Sequence, residues 1–315
     1  MSKKVVLVGT GNVGTAAAFS LMNVDVISQM GLIDIDHQKA LGEALDLSDG
    51  ISFLRPMQIT AGDYSLCSDA DLIIISAGAN QKVGETRLDL AGKNSKVFNQ
   101  VIEEILKYNP DPLLLITTNP VDVLTYHTIK HFDLPPHRVI GSGTVLDTSR
   151  LRYLLSQNCE VDPRNIHCYV IGEHGDGSVI VWSASQIAGI NLSRFCQLCE
   201  KDCSSTDYLH REVTRAAYRI IEKKGVTSYS IALAIKRITE AVLNNEDSIL
   251  TVSTLVNNYF GINDVCLSLP CVINSEGINR MLPLPLEEAE LHRLRKTADN
   301  LKSVQDSLTT PEVNV

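Results

Sequence analysis

Gly172-Glu173-His174-Gly175-Asp176 sets a histidine in a glycine-flanked turn, straight after the apolar run Tyr169-Val170-Ile171. Imidazole titrates near neutrality, so it suits the transfer of one proton per turnover. Small neighbours at the end of a strand leave room for a small substrate to approach it. A lone histidine in such a place is as readily a satisfied structural residue, so its partners matter. Asp147 and Arg150 are three residues apart and share a helical face, although a surface ion pair of that kind is worth little. Arg87 closes the polar segment Gly78-Ala79-Asn80-Gln81-Lys82-Val83-Gly84-Glu85-Thr86-Arg87. A segment with two glycines at the carboxyl end of a strand is placed to act as a lid, bringing Arg87 into the site on closure.

A second group of residues points to a nucleotide. Gly9-Thr10-Gly11-Asn12-Val13-Gly14 follows the apolar run Val5–Val8 and opens a helical stretch. Gly9 permits the tight turn, Gly11 the approach of a pyrophosphate, and Gly14 close helix–strand packing. The helix N-terminus then offers unpaired N–H groups and a positive dipole to phosphates. Asp34 ends the next strand, where a carboxylate accepts from ribose hydroxyls and repels a 2′-phosphate, favouring NAD over NADP. Asp36 begins the following loop and is the weaker candidate.

The elements that position these residues alternate in the first half. Val5–Val8, Leu32-Ile33, Leu72–Ser76 and Leu113–Thr117 read as strands, the last two apolar throughout as for strands covered on both faces. Val13–Met22, His37–Asp46 and Asp89–Tyr108 read as helices between them. That alternation predicts an α/β fold with a doubly wound parallel sheet of Rossmann type. After Gly141-Ser142-Gly143 the character changes. Asp207–Glu222 and Ser228–Leu243 read as long helices, and Ile249–Val256 and Val265–Ile273 as neighbouring strands. We read residues 1–142 as the NAD-binding domain and 143–315 as an α+β catalytic domain, with a frayed tail from Thr309.

The chain of 315 residues carries a net charge of −9 without a Lys/Arg run, which disfavours nucleic acid and anionic membrane as partners. The N-terminal apolar run is too short for a signal peptide or membrane span, so a cytoplasmic protein is expected. Its eight cysteines are then expected to be thiols. Cys196, Cys199 and Cys203 fall with Phe195 on one side of a helix and lack the partners of a tetrahedral metal site, so burial is expected and no metal.

VGTGNVG, AGANQKVGETRLDL, TTNPVD, GSGTVLDTSRLR, IGEHGD and KKGVTSYS occur in this order along the chain. With them the sequence resembles the NAD-dependent L-lactate/malate dehydrogenases over essentially its whole length, and most of all the bacterial lactate dehydrogenase branch. The resemblance implies a role for each candidate. His174 exchanges a proton with the substrate carbonyl oxygen, and Asp147 holds its other ring nitrogen. Arg87 polarises the carbonyl from the closed lid. Arg150 grips the substrate carboxylate in a two-pronged pair. Asn119 lies near nicotinamide and substrate, Thr227 lines the pocket, and Gly9, Gly11, Val13, Gly14 and Asp34 bind NAD. Gln81 separates the branches. Malate dehydrogenases carry arginine there for the second carboxylate of oxaloacetate, whereas a neutral amide leaves that charge unpaired in a closed pocket. Interconversion of pyruvate and L-lactate in fermentative NAD regeneration is therefore expected of a cytoplasmic homotetramer. Malate or another 2-hydroxy acid is the alternative.

Arg152 and His167 match positions that bind fructose 1,6-bisphosphate between subunits of bacterial lactate dehydrogenases. Arg152 could equally cap a helix face and His167 serve as a core histidine, and the residues alone do not choose. Gly177, Ile180, Val83 and Ser48-Asp49 depart from the usual pattern, which bears on lid stiffness rather than on any catalytic group. An NAD-dependent glycosidase would need a divalent metal, and a binding protein on this fold would not keep the full set of Arg87, Asp147, Arg150 and His174.

Overall fold

The computed structural model describes residues 2–79, 87–199 and 206–309, with the backbone alone for Arg87 and Thr309. The apolar runs of the first half form β1 (Lys3–Val8), β2 (Ile27–Ile33), β3 (Gln58–Ala61), β4 (Leu72–Ile75), β5 (Leu114–Ile116) and β6 (Val139–Gly141). The helices between them are α1 (Asn12–Leu21), α2 (His37–Asp49), α3 (Arg87–Tyr108) and α4 (Val121–His131). All six strands pair in parallel, in the order β3-β2-β1-β4-β5-β6. Leu72, Ile73, Ile74 and Ile75 are wholly buried, since helices cover both faces of the sheet. The crossing point of this strand order lies between β1 and β4, and in open α/β sheets ligands bind beyond the carboxyl ends of the strands at such a point.

The second half begins with α5 (Val145–Cys159), followed by β7 (Ile166–His167), β8 (Val170–Gly172), β9 (Ser178–Ile180), β10 (Gln186–Ile187) and β11 (Ile190–Asn191). Then come α6 (Leu192–Leu198), α7 (Thr206–Lys224), α8 (Tyr229–Leu243), β12 (Ser248–Val256), β13 (Val265–Asn274), β14 (Gly277–Met281) and α9 (Glu288–Thr309). β12 pairs antiparallel with β13 over its whole length, from Ser248 opposite Ile273 to Val256 opposite Val265, and β8 and β9 extend that sheet beyond β13. The parallel and antiparallel portions join where Gly141 of β6 pairs with Ser253 of β12. A Cβ at Gly141 would stand 2.5 Å from Thr125 Oγ1 and 2.8 Å from Ser253 Cβ, so only glycine allows this approach.

The cysteine-rich segment departs from the sequence expectation. α6 ends at Leu198, with Cys199 as its cap residue, so no helical face runs through all three cysteines. Cys196 is buried but Cys199 is exposed, and Cys203 lies outside the described residues. Cys196 is also disulfide-bonded, which corrects the reading of all eight cysteines as thiols. Among the described residues, no helix is long and apolar enough to cross a membrane.

Candidate active site

The turn after β1 is built by contact. A Cβ at Gly14 would lie 1.9 Å from the Gly9 carbonyl oxygen, and one at Gly9 (φ +102°) would lie 2.5 Å from Ala77 N. The Ser76 hydroxyl donates to that same Gly9 carbonyl at 2.8 Å, tying the turn to the end of β4. At Gly11 a Cβ would meet nothing within 4 Å. Its glycine is therefore not demanded by the protein's own packing, and the space is open to a ligand. No side chain caps the α1 N-terminus and no acidic residue stands in its first turn, leaving N–H groups for an anion. Val13 is half-buried and packs on the core.

Asp34 Oδ2 accepts from the Thr10 backbone N–H at 2.6 Å and its hydroxyl at 2.9 Å, and Oδ1 accepts from Asp36 N–H at 3.0 Å. Burial raises the pKa of this carboxyl, but these three donors outweigh it and hold it below the ordinary aspartate value. The carboxylate is therefore ionised beside the turn. Asp36 instead caps α2 by accepting from Lys39 N–H at 3.1 Å.

His174 follows β8. Its Nδ1 lies 2.6 Å from Asp147 Oδ2, and Arg150 Nη1 donates to Asp147 Oδ1 at 3.0 Å. Asp147 is only 4% exposed, so its charge is desolvated and needs both cations. Burial raises its carboxyl pKa, and the His174 ring and Arg150 more than reverse that. The ring shows the complementary effect. Burial favours neutral imidazole, but the Asp147 charge and hydrogen bond, with a further contribution from Asp122, raise its pKa above the ordinary histidine value despite Arg150.

Three residues that the sequence reading passed over complete the frame. Asp122, 2% exposed in the first turn of α4, accepts from His174 N–H at 2.8 Å. Asn94, fully buried in α3, accepts from Ala79 N–H at 2.7 Å and donates to the Asn119 carbonyl at 2.8 Å. Thr10 links the glycine turn to Asp34. Two of them carried a signal: Asp122 is an acid two residues after proline at a helix start, and Asn94 is a poor helix former inside a long helix.

The structure brings His174, Asp147 and Arg150 together and joins Asp34 to the glycine turn. Arg87 opens α3, but its side chain, like the whole of Gln81, lies outside the described residues. The Asn119 side chain is exposed, and Thr227 is half-buried between α7 and α8. Arg152, on α5, lines a cavity of about 250 Å³ with Arg237 and Tyr169. His167 is exposed on β7, which rules out its reading as a core histidine.

Residues 3–141 match the model of the lactate/malate dehydrogenase NAD-binding domain, and residues 144–310 that of the family's alpha/beta C-terminal domain. The chain belongs to the lactate/malate dehydrogenase family. Within it, the chain is 50% identical over 308 residues to an L-lactate dehydrogenase of Acetivibrio thermocellus, covering 97% of each sequence. It is 48% identical to one of a Thermoanaerobacter species, covering 97% of this chain and 99% of the relative. Two solved structures superpose with TM-scores of 0.94. One is a lactate dehydrogenase from a Medee basin deep-sea metagenome library, 40% identical, with 98% of this chain and 99% of that one covered. The other is the minor L-lactate dehydrogenase of Enterococcus mundtii, 37% identical, with 99% of each covered.

The cofactor of this lactate/malate dehydrogenase family member is NAD, and the residues present fit it. The uncapped α1 N-terminus and open Gly11 suit the pyrophosphate, and the ionised Asp34 suits an unphosphorylated ribose.

Proposed function

We propose that this protein is an L-lactate dehydrogenase, reducing pyruvate to L-lactate and catalysing the reverse oxidation. The carrying observation is the His174–Asp147–Arg150 cluster, in a chain half identical to a relative bearing that name. Asp147 holds a proton on Nδ1, so Nε2 is the ring atom that exchanges one with the substrate carbonyl oxygen. Bound NADH supplies the hydride. Arg150 spends one N–H on Asp147 and turns the rest of its fork to the substrate carboxylate. Arg87 polarises the carbonyl, while Asn119 and Thr227 border the reacting groups.

Gln81 sets the substrate, because oxaloacetate would bury a second carboxylate against a neutral amide. NADH oxidation with pyruvate and with oxaloacetate tests this directly, and a wild type preferring oxaloacetate overturns it. In Gln81→Arg the ratio of catalytic efficiencies should move toward oxaloacetate by roughly two orders of magnitude.

The same reading divides the chain at 142/143, supported by the family models parting between residues 141 and 144. Exposed Phe19, Leu41, Leu45, Tyr229 and Leu233 on α1, α2 and α8 support a homo-oligomer, which we read as a tetramer. Arg152, whose buried Nε has no hydrogen-bond partner among the described residues, and His167 are the residues we assign to fructose 1,6-bisphosphate. Adding that sugar phosphate to the pyruvate assay tests the assignment. The setting is cytoplasmic fermentation, in which NAD is regenerated.

A further inference from the structure

Asp122 belongs to the first half of the chain, yet its carboxylate lies against the main chain of the catalytic turn. Oδ2 accepts from His174 N–H at 2.8 Å. Oδ1 faces the Ser268 hydroxyl of β13 at 3.5 Å. The residue's own carbonyl accepts from Gln305 Nε2 at 3.3 Å, and the same amide is fixed on Cys266 by bonds of 2.9 and 3.0 Å. Gln305 is fully buried in α9. Thus α4 carries a carboxylate to His174, and β13 and α9 brace it there.

A cap for α4 would need none of this. A carboxylate in the first helical turn is satisfied by the helix's own N–H groups and solvent. Asp122 is withdrawn from solvent and placed on a residue 52 positions away. Burying a carboxylate is costly unless it is bonded and faces positive charge. Among the described residues, the charged and titratable groups around His174 are few. Asp147 and Arg150 come from α5, Asp122 from α4, and Glu173 and Asp176 from the turn itself. His210 of α7 bonds the Ser178 carbonyl at 3.0 Å. Arg87 opens α3.

We propose that Asp122 is a positioning residue for proton transfer: it fixes the main chain at His174 and sets a second buried anion beside the imidazolium. This rests on the proposed reaction, in which the charged ring is the proton donor. Asp147 orients the ring from its Nδ1 side, whereas Asp122 orients the backbone from which the ring projects. The field of the Asp122 charge at the ring acts in the same direction as that of Asp147.

The test separates charge from geometry. Asp122→Asn keeps an oxygen acceptor for His174 N–H and removes the charge, whereas Asp122→Ala removes both. In cofactor-free protein, NMR titration of the His174 ring should give a pKa lower by about half a unit or more in Asp122→Asn. The alkaline limb of kcat/KM for pyruvate reduction should move down equally, with kcat at acid pH within about threefold of wild type. In Asp122→Ala, kcat should fall about tenfold or more, with KM for pyruvate little changed because Arg150 remains. An unchanged His174 pKa in Asp122→Asn overturns the proposal. Should the variants not fold, hydrogen exchange at the His174 amide of the wild type decides. Slow exchange supports the bond to Asp122, and exchange at the rate of an open loop overturns it. A wild type inert toward pyruvate would sink the proposed reaction while the ring titration still reported on Asp122.

Discussion

At the scale of the residue, His174 and Asp34 are each defined by what is bonded to them. His174→Asn should cut pyruvate turnover by about a hundred- to ten-thousandfold. NADH affinity by fluorescence should be nearly unchanged, because the dinucleotide is held by the other half of the chain. A mutant with near-normal turnover would remove His174 from the proton-transfer role. The raised pKa of His174 also has a sign for stability. Its contribution is fully present below the unfolded histidine pKa and is lost as pH rises through the folded value. Asp34→Ala should weaken discrimination against NADPH by removing the repulsion of its 2′-phosphate. It also frees the Thr10 N–H and hydroxyl, so the Michaelis constant for NADH should rise in the same variant. Steady-state kinetics with both cofactors checks this, and an unchanged preference would place the ribose ligand elsewhere.

At the scale of the element, α3 and α4 position the crevice through buried polar side chains. Asn94 joins the start of the segment after β4 to the chain entering α4, through Ala79 and Asn119. Asn94→Ala removes the side-chain partner of the Ala79 N–H and the Asn119 carbonyl, both on exposed residues, and should cost about 1–2 kcal/mol of stability in urea unfolding. Steady-state activity should fall further than temperature sensitivity alone explains, since both chain segments border the site. Long, periodic elements were legible from the sequence. α3 was read to within two residues of its start, and β12 and β13 to within one residue at either end. β3, β6, β9 to β11 and β14 were not found, because strands of two to five residues carry too little alternation to be distinguished from loops, whereas β8 was anticipated by the apolar run Tyr169-Val170-Ile171. Asp122 and Asn94 escaped for another reason. Their partners lie far away in sequence, and residue type alone does not reveal a bond across 52 positions. Arg150 and Asp147 were found because a three-residue spacing on a helix is a local signal.

At the scale of the whole molecule, pH acts through a histidine outside the catalytic cluster. His127 of α4 is 4% exposed and stacks on His131, with ring centroids 5.0 Å apart. Its Nε2 meets Asn99 Oδ1 of α3 at 2.7 Å, and its buried Nδ1 has no partner among the described residues. Burial, helped by the charge of His131, pushes its pKa down to about 4. The unfolded chain therefore takes up a proton at a pH where the folded chain does not. The stability due to neutral His127 is complete above about pH 6.5 and is lost as pH falls toward 4, roughly 2 kcal/mol of it by pH 5. Unfolding free energies measured in urea across this range should show the loss, and His127→Gln should flatten it. A wild-type profile that is flat from pH 7 to 5 would refute the assignment.

The change of character near residue 143 was visible in sequence, but the join was not. Gly141 and Ser253 lie more than a hundred positions apart, and a single bridge between them makes two sheets one. A boundary drawn along the chain is thus not a seam in the molecule. Cutting there would remove the one bridge between β6 and β12 and turn both strands into open borders, the kind of edge that recruits foreign strands. Either half made alone should therefore associate through that border, which size-exclusion chromatography of the two separate halves would show.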